Sequence, residues 1–243
     1  SDLVGEAQDS TGKPVANCAA LLCGGKIAFE QRKMLLPSYD VFDETRYFQP
    51  GASTHTFPLS SEILGITICE DCWNDKNFWV QRLYDRDPVV ELMGQGTTLI
   101  LNISASPYTI EKRGLRLDML RAIAREHKVP VVYVNQVGGN DSLIFDGSSV
   151  AFMPDGRIAA LARAFAEDLV LFDTSTGEGD IRPQPQGDLE AAYDALVLGA
   201  RDYVRKCGFS KVVVGLSGGV DSALVATIAT DAVRSEERRV GKE

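Results

Sequence analysis

The nine residues Gly65-Ile66-Thr67-Ile68-Cys69-Glu70-Asp71-Cys72-Trp73 read as an apolar strand running straight into a thiol, two carboxylates, a second thiol and an aromatic ring. A short apolar run of this kind is the pattern of a buried strand, so the reading is an α/β chain with chemistry at a strand end. At such a corner the sheet fixes the backbone while the side chain faces outward, which would place Cys69 to attack a carbonyl. A free thiol with a pKa of about 8.5 is only a few per cent ionised at neutral pH, and Glu70 and Asp71 oppose ionisation further. A cation from elsewhere is the natural complement. Lys33, in Arg32-Lys33-Met34-Leu35-Leu36-Pro37-Ser38-Tyr39, is the candidate.

The strand pattern taken alone favours a plainer reading, a buried inert thiol. Cys69 and Cys72 also form a CxxC pair, open to a redox or a zinc reading. Both are weak. Redox pairs open a helix with small or aromatic residues between the thiols, and zinc needs a second ligand pair, for which Cys18 and Cys23 are poorly spaced. No metal site is therefore expected, and His55 and His127 read as isolated surface residues.

Outward from this stretch, further strands are expected at Cys18–Leu22, Ile63–Ile68, Thr98–Ile103, Val129–Asn135, Ser149–Met153 and Leu169–Asp173. Over Glu111–His127, Leu115, Met119, Ala122 and Ile123 recur at helical spacing beside four arginines. Pro154-Asp155-Gly156 between apolar runs signals a hairpin. Residues 174–188 are polar and aperiodic, with the run Arg182-Pro183-Gln184-Pro185-Gln186-Gly187, and read as a linker at 176–188 between a domain at 1–175 and a second one starting at 189. There Leu189–Lys206 has helical periodicity through Leu189, Ala192, Leu196, Gly199 and Tyr203, and a strand is expected at Val212–Leu216.

The 243 residues carry 44% hydrophobic and 24% charged residues, a globular composition that buries roughly 70–75% of the unfolded surface without staples. With 25 basic and 34 acidic residues the net charge is -9, which argues against nucleic acid and anionic membranes as partners. No apolar run approaches a membrane span and no leader pattern opens the chain. Five cysteines form an odd set without framework spacing, which suits the cytoplasm. Leu3-Val4-Gly5 reads as the tail of a strand, so a segment is expected to precede residue 1. The closing decapeptide Arg234–Glu243 resembles a translated sequencing-adapter read and is expected to stand apart from the fold, leaving 189–233 as the start of the second domain.

A second motif follows the strand expected at 212–216. Gly215-Leu216-Ser217-Gly218-Gly219-Val220-Asp221-Ser222 leads into an apolar helical run. Two glycines after a strand allow close approach of a ligand, and the helix N-terminus behind them offers an anion cradle. The spacing and the missing lysine exclude the GxxxxGK[ST] loop. A capped turn between strand and helix is the plainer alternative.

Three runs carry a resemblance: Lys33–Glu44 (KMLLPSYDVFDE), Cys69–Trp73 (CEDCW) and Asn102–Lys112 (NISASPYTIEK). Over residues 1 to about 175 they resemble the glutaminase half of bacterial glutamine-dependent NAD synthetases, a branch of the nitrilase superfamily. The resemblance implies an αββα sandwich and a Glu-Lys-Cys triad, with Lys33 and Cys69 in the last two places. The base glutamate would lie upstream of position 1, so the chain by itself is expected to turn over little glutamine. It further implies that Lys33 and the Glu70 N–H stabilise the oxyanion, that Tyr39, Ser106 and Lys112 contact glutamine, with Arg113 as the alternative to Lys112, and that Glu44 is a second acid fixing Lys33.

Ser217–Ser222 in turn resembles the pyrophosphate loop of N-type ATP pyrophosphatases, on a Rossmann-like sheet. The combined resemblance implies ATP, Mg²⁺, deamido-NAD⁺ and glutamine as reactants, with NAD⁺, AMP and pyrophosphate as products, and a homo-oligomer. Two rivals stand beside it. A stand-alone nitrilase-type amidohydrolase leaves the glycine loop idle, and a nucleotide-binding module with an inert thiol leaves Lys33 and Cys69 unexplained.

Overall fold

The computed structural model describes residues 15–234. The expected strand tail Leu3-Val4-Gly5 and residues 235–243 lie outside the described residues.

The chain opens with an antiparallel hairpin, β1 (Cys18–Cys23) and β2 (Lys26–Arg32), turned at Gly24-Gly25. Both turn glycines have left-handed backbones, φ 57° and 74°, a conformation that Gly adopts without a Cβ penalty. After the short helix α1 (Glu44–Tyr47) come β3 (Thr56–Leu59) and β4 (Glu62–Ile68), then α2 (Pro88–Met93), β5 (Leu99–Ser104), α3 (Lys112–His127) and β6 (Val131–Asn135). A second hairpin, β7 (Val137–Asn140) with β8 (Leu143–Asp146), precedes β9 (Val150–Phe152) and β10 (Ile158–Leu161). The expected Pro154-Asp155-Gly156 turn joins the last two.

Six of these strands form one mixed sheet in the order β10-β9-β6-β5-β4-β3. β4, β5 and β6 are parallel, with α2 and α3 in their crossovers, while β3, β9 and β10 add antiparallel edges. On one face Val89 of α2 and Met119, Leu120 and Ile123 of α3 pack against Ile100, Val131 and Phe152. The other face buries Leu64, Ile66, Ile68 and Leu99 under Ala19, Leu21 and Phe29 of the β1–β2 hairpin. The described residues thus supply a helix layer and a sheet of the nitrilase-like sandwich. Gly65 is needed where β4 meets α2: a Cβ there would lie 2.9 Å from the Thr97 side chain and 3.3 Å from Leu92.

Three expectations are corrected. Leu169–Asp173 is not a strand. Among the described residues it makes one isolated bridge, Phe172 to Gly179, with Asp180 N–H donating to Leu171 O at 3.0 Å and Asp173 N–H to Glu178 O at 2.9 Å, too short a pairing to extend into a ladder, and Leu169 and Leu171 face outward. Val212–Leu216 is likewise unpaired, since no described strand lies beside it. In α4 (Asp188–Lys206) the buried residues are Ala191, Ala195 and Leu198, whereas Leu189, Leu196 and Tyr203 of the expected apolar stripe are exposed.

Small side chains let α4 approach the β7–β8 hairpin closely. A Cβ on Gly139 would sit 3.1 Å from the Gly199 Cα, and Asp202 accepts from the Gly139 N–H at 2.8 Å. The polar stretch before α4 lies along β10, with Arg182 N–H donating to Leu161 O and the Gln184 amide to Ala162 O, both at 2.8 Å. Helix α5 (Val220–Arg234) packs on α4, and the Tyr193 hydroxyl donates to Asp231 at 2.6 Å. No helix among the described residues is long and apolar enough to cross a membrane.

Candidate active site

A cavity of about 240 Å³ opens at the carboxyl ends of the parallel strands, and Tyr39, Cys69, Glu70, Ser106 and Lys112 all line it. Crevices outside these strand ends are where open α/β sheets bind ligands. Five residues singled out in the sequence, dispersed over 74 positions, therefore share one pocket.

Cys69 occupies the corner expected of it. β4 ends at Ile68 and a single 3-10 turn spans Cys69–Cys72, with Cys69 held at a left-handed φ of 45°. A non-glycine residue there stores strain that the surrounding structure must hold. Burial pushes the Cys69 thiol up, the Lys33 ammonium pulls it down, and Glu70 pushes it up again. Cys72 points into the core beside Val89 and Ile100. Its sulfur lies 3.3 Å from Thr67 Oγ1 and 3.1 Å from Asn102 Nδ2, and burial pushes its thiol up to about 12. The two thiols thus face different environments, pocket and core.

Lys33 follows β2 and is 1% exposed. Its Nζ donates to Glu44 Oε1 at 2.6 Å, while Glu44 Oε2 is buried without a hydrogen-bond partner. A buried ammonium requires such a counter-charge. Lys33 is not among the residues that line the cavity; the loop that follows it is tied to the end of β4 by Asp71, a residue the sequence offered only as an obstacle to ionisation. Its Oδ1 accepts from the N–H groups of Met34 and Leu35 at 3.0 and 2.8 Å, and its Oδ2 from Ile68 N–H at 3.0 Å. One carboxylate thus clamps the loop after β2 to the end of β4. Burial pushes Asp71 up to about 6, against the pull of those three N–H groups.

The pocket is charged at two places. Glu70 is 4% exposed. It accepts from the Tyr39 hydroxyl at 2.8 and 2.9 Å and from the Tyr84 hydroxyl at 3.1 Å. Burial raises its pKa, and the two hydroxyls, Lys33 and Lys112 pull it back. Lys112, at the start of α3, holds its Nζ 5.6 Å over the Trp73 ring, a favourable cation–π arrangement; burial lowers its pKa. Arg113, the alternative to Lys112, turns away to the Gln184 side chain. Ser106 is set by Asn135, which accepts its N–H at 2.9 Å and donates to its carbonyl at 3.3 Å. Asn135 also donates to Asp146 at 3.2 Å, and Asp146 pairs with the buried Arg116.

Of the histidines, His55 is exposed and 2.8 Å from Ser53 Oγ. His127 is less isolated than expected, since its donor atom and those of Asp75 and Glu126 lie within 4.8 Å of one another. The carboxylates there already accept from Asn77: Asp75 from its N–H and Glu126 from its side chain.

The glycine loop lies apart from this pocket and is exposed from Gly215 to Asp221. Gly218 has a left-handed φ of 85°. Ser222 Oγ donates to Gly219 O at 2.9 Å and lies 3.1 Å from Ser217 Oγ. A Cβ on Gly215 or Gly218 would meet nothing within 4 Å, so the loop's backbone is open.

Fold and strand-end pocket define a protein of the nitrilase type. The chain belongs to the carbon-nitrogen hydrolase family, whose model matches residues 3–178; a second model, NAD synthase, matches residues 192–241. The chain is similar to the glutamine-dependent NAD(+) synthetase of Synechocystis sp., with 45% identity over 95% of this chain and 42% of the relative. Among solved structures, the glutamine-dependent NAD+ synthetase of Acinetobacter baumannii in complex with ADP matches with a TM-score of 0.79 and 38% identity, covering 90% of this chain and 40% of that one. The corresponding structure from Cytophaga hutchinsonii, 23% identical, shares the fold with a TM-score of 0.69 over 93% of this chain and 37% of that one. The chain spans about 42% of the length of the Synechocystis relative.

Proposed function

We propose that this chain is the amide-hydrolysing part, with the start of the synthetase part, of a cytoplasmic enzyme that makes NAD⁺ from deamido-NAD⁺, ATP and glutamine. The observation that carries the reading is the pairing, in one chain, of the Cys69 pocket, charged by Glu70 and Lys112, with a NAD synthase match at 192–241. A free α-amino acid presents an ammonium and a carboxylate, and the pocket offers one partner for each.

In the proposed reaction the Cys69 sulfur attacks the glutamine side-chain amide as its proton passes to the triad glutamate that the resemblance implies. Lys33 and the Glu70 N–H face the oxyanion, with Glu44 holding the ammonium in place. Ammonia leaves, and water hydrolyses the thioester to glutamate. At the second site ATP adenylylates the deamido-NAD⁺ carboxylate with release of pyrophosphate, and the ammonia then displaces AMP to give NAD⁺. ATP phosphates would sit against Ser217–Ser222 at the start of α5, where the open backbone leaves them room. A single carboxylate beside substrate phosphates suits Mg²⁺, so Asp221 would hold it, and the ion would neutralise phosphate charge. By the same resemblance the complete enzyme is a homo-oligomer.

Acid quenching of the full-length protein during glutamine turnover tests the first half. Mass spectrometry is expected to show a glutamyl adduct on the peptide bearing Cys69 and none after Cys69→Ala. An adduct-free peptide during active turnover would rule out the thioester.

A further inference from the structure

The segment between the 3-10 turn and α2 has no regular secondary structure, yet it is held by its own side chains. Asn74, 1% exposed, closes its neck: Nδ2 donates to the carbonyls of Tyr84 and Arg86 at 2.8 and 2.6 Å, and Oδ1 accepts from Tyr84 N–H at 3.3 Å. Asp75 accepts from the N–H groups of Asn77 and Phe78 at 2.7 and 3.0 Å, and Arg86 forks onto Glu91 at 2.8 and 2.6 Å. The tip at Val80 is fully exposed. The inner side gives Trp79, Gln81 and Leu83 to the cavity wall, and Trp79 stacks on Trp73 at 6.0 Å.

Tyr84, at the far side of the neck, places its hydroxyl 3.1 Å from Glu70 Oε1, so Glu70 is held from two sides. Tyr39 comes from the loop after β2 and Tyr84 from this flap. Burial and the Glu70 charge both push the two phenols up, so each stays a neutral donor. A carboxylate with two fixed donors keeps one orientation and retains lone pairs for a cationic guest.

We propose that Tyr84 is a positioning residue for substrate selection: latched by Asn74, it fixes the Glu70 carboxylate to receive the ammonium of an α-amino acid amide, and so separates such amides from simple ones. The inference rests on the glutaminase reading above. Tyr84 touches Glu70, while Cys69 and Lys33 are held by other contacts, so its hydroxyl serves substrate binding rather than bond cleavage.

The test is steady-state glutamine hydrolysis by the full-length protein and its Tyr84→Phe variant, which removes one oxygen and keeps the ring. The comparison substrate is 4-carbamoylbutanoate, which has the amide and the carboxylate and lacks the ammonium, read by its KM or by its inhibition constant against glutamine. A hydrogen bond to a charged group is worth roughly 10- to 150-fold. We expect the KM for glutamine to rise by about tenfold or more with kcat within about twofold, and the constant for 4-carbamoylbutanoate to stay unchanged. Equal losses on both compounds, a fall confined to kcat, or no change would each overturn the proposal. Failure of the unsubstituted protein to hydrolyse glutamine would instead remove the glutaminase reading, and this inference with it.

Discussion

At the residue scale the decisive balance is the one acting on the Cys69 sulfur. Burial disfavours the thiolate and Glu70 repels it, and the Lys33 ammonium works against both. Replacing Lys33 with Met removes the favourable charge, so the thiol pKa must rise further. Iodoacetamide alkylation at pH 8 reports the thiolate directly, and each unit of increase cuts its rate by about tenfold. We expect Lys33→Met to slow labelling of Cys69 by about that factor, while the exposed Cys18, Cys23 and Cys207 label at unchanged rates and serve as internal standards. Cys72, fully buried with its thiol pushed up to about 12, stays unlabelled in both proteins. An unchanged Cys69 rate would mean that Lys33 does not act on the thiol. The positions of Cys69 directly after β4 and of Lys33 directly after β2 were legible in the sequence because each stands at the edge of a short apolar run. Tyr84 was not, because its partner Glu70 lies 14 residues away across a segment with no periodicity to place it.

At the scale of elements, the parallel strands, α3 and the β9–β10 hairpin were legible because each carries its own periodicity or turn chemistry. The clamp between elements was not. Asp71 reaches N–H groups 36 and 37 positions away, and no local pattern encodes that meeting. Asp71→Ala would leave three buried backbone donors without acceptors, at about 1–3 kcal/mol for each donor left unmade. We expect the denaturant midpoint of the full-length protein to fall by an amount equivalent to about 3 kcal/mol or more. The pH dependence has a definite sign. Asp71 is pushed up to about 6 in the fold, above the ordinary carboxylate range near 3.9, so its contribution is full below pH 4 and diminishes as pH rises through 6. The gap between native protein and variant should therefore widen between pH 7 and pH 4.5. A gap that narrowed would contradict the clamp as described. The strands expected at 169–173 and 212–216 failed for a related reason: apolar β-forming composition specifies a strand only where a neighbour completes its ladder.

At the scale of the molecule, the chain joins a thiol pocket at the end of a parallel sheet to an open glycine loop at the start of α5, proposed above as two sites of one synthesis. NAD⁺ formation by the full-length protein, with either glutamine or free ammonia as nitrogen donor, tests that most directly when Cys69→Ala and Ser222→Ala are compared. Cys69→Ala is expected to abolish the glutamine reaction and spare the ammonia reaction. Ser222→Ala is expected to lower both by roughly 10- to 150-fold, the worth of one hydrogen bond to a charged group. If Ser222→Ala left ammonia-dependent synthesis intact, the loop would be only a capped start of α5 and the stand-alone amidohydrolase would be the better reading; if Cys69→Ala kept glutamine-dependent synthesis, the thiol would not be the nucleophile.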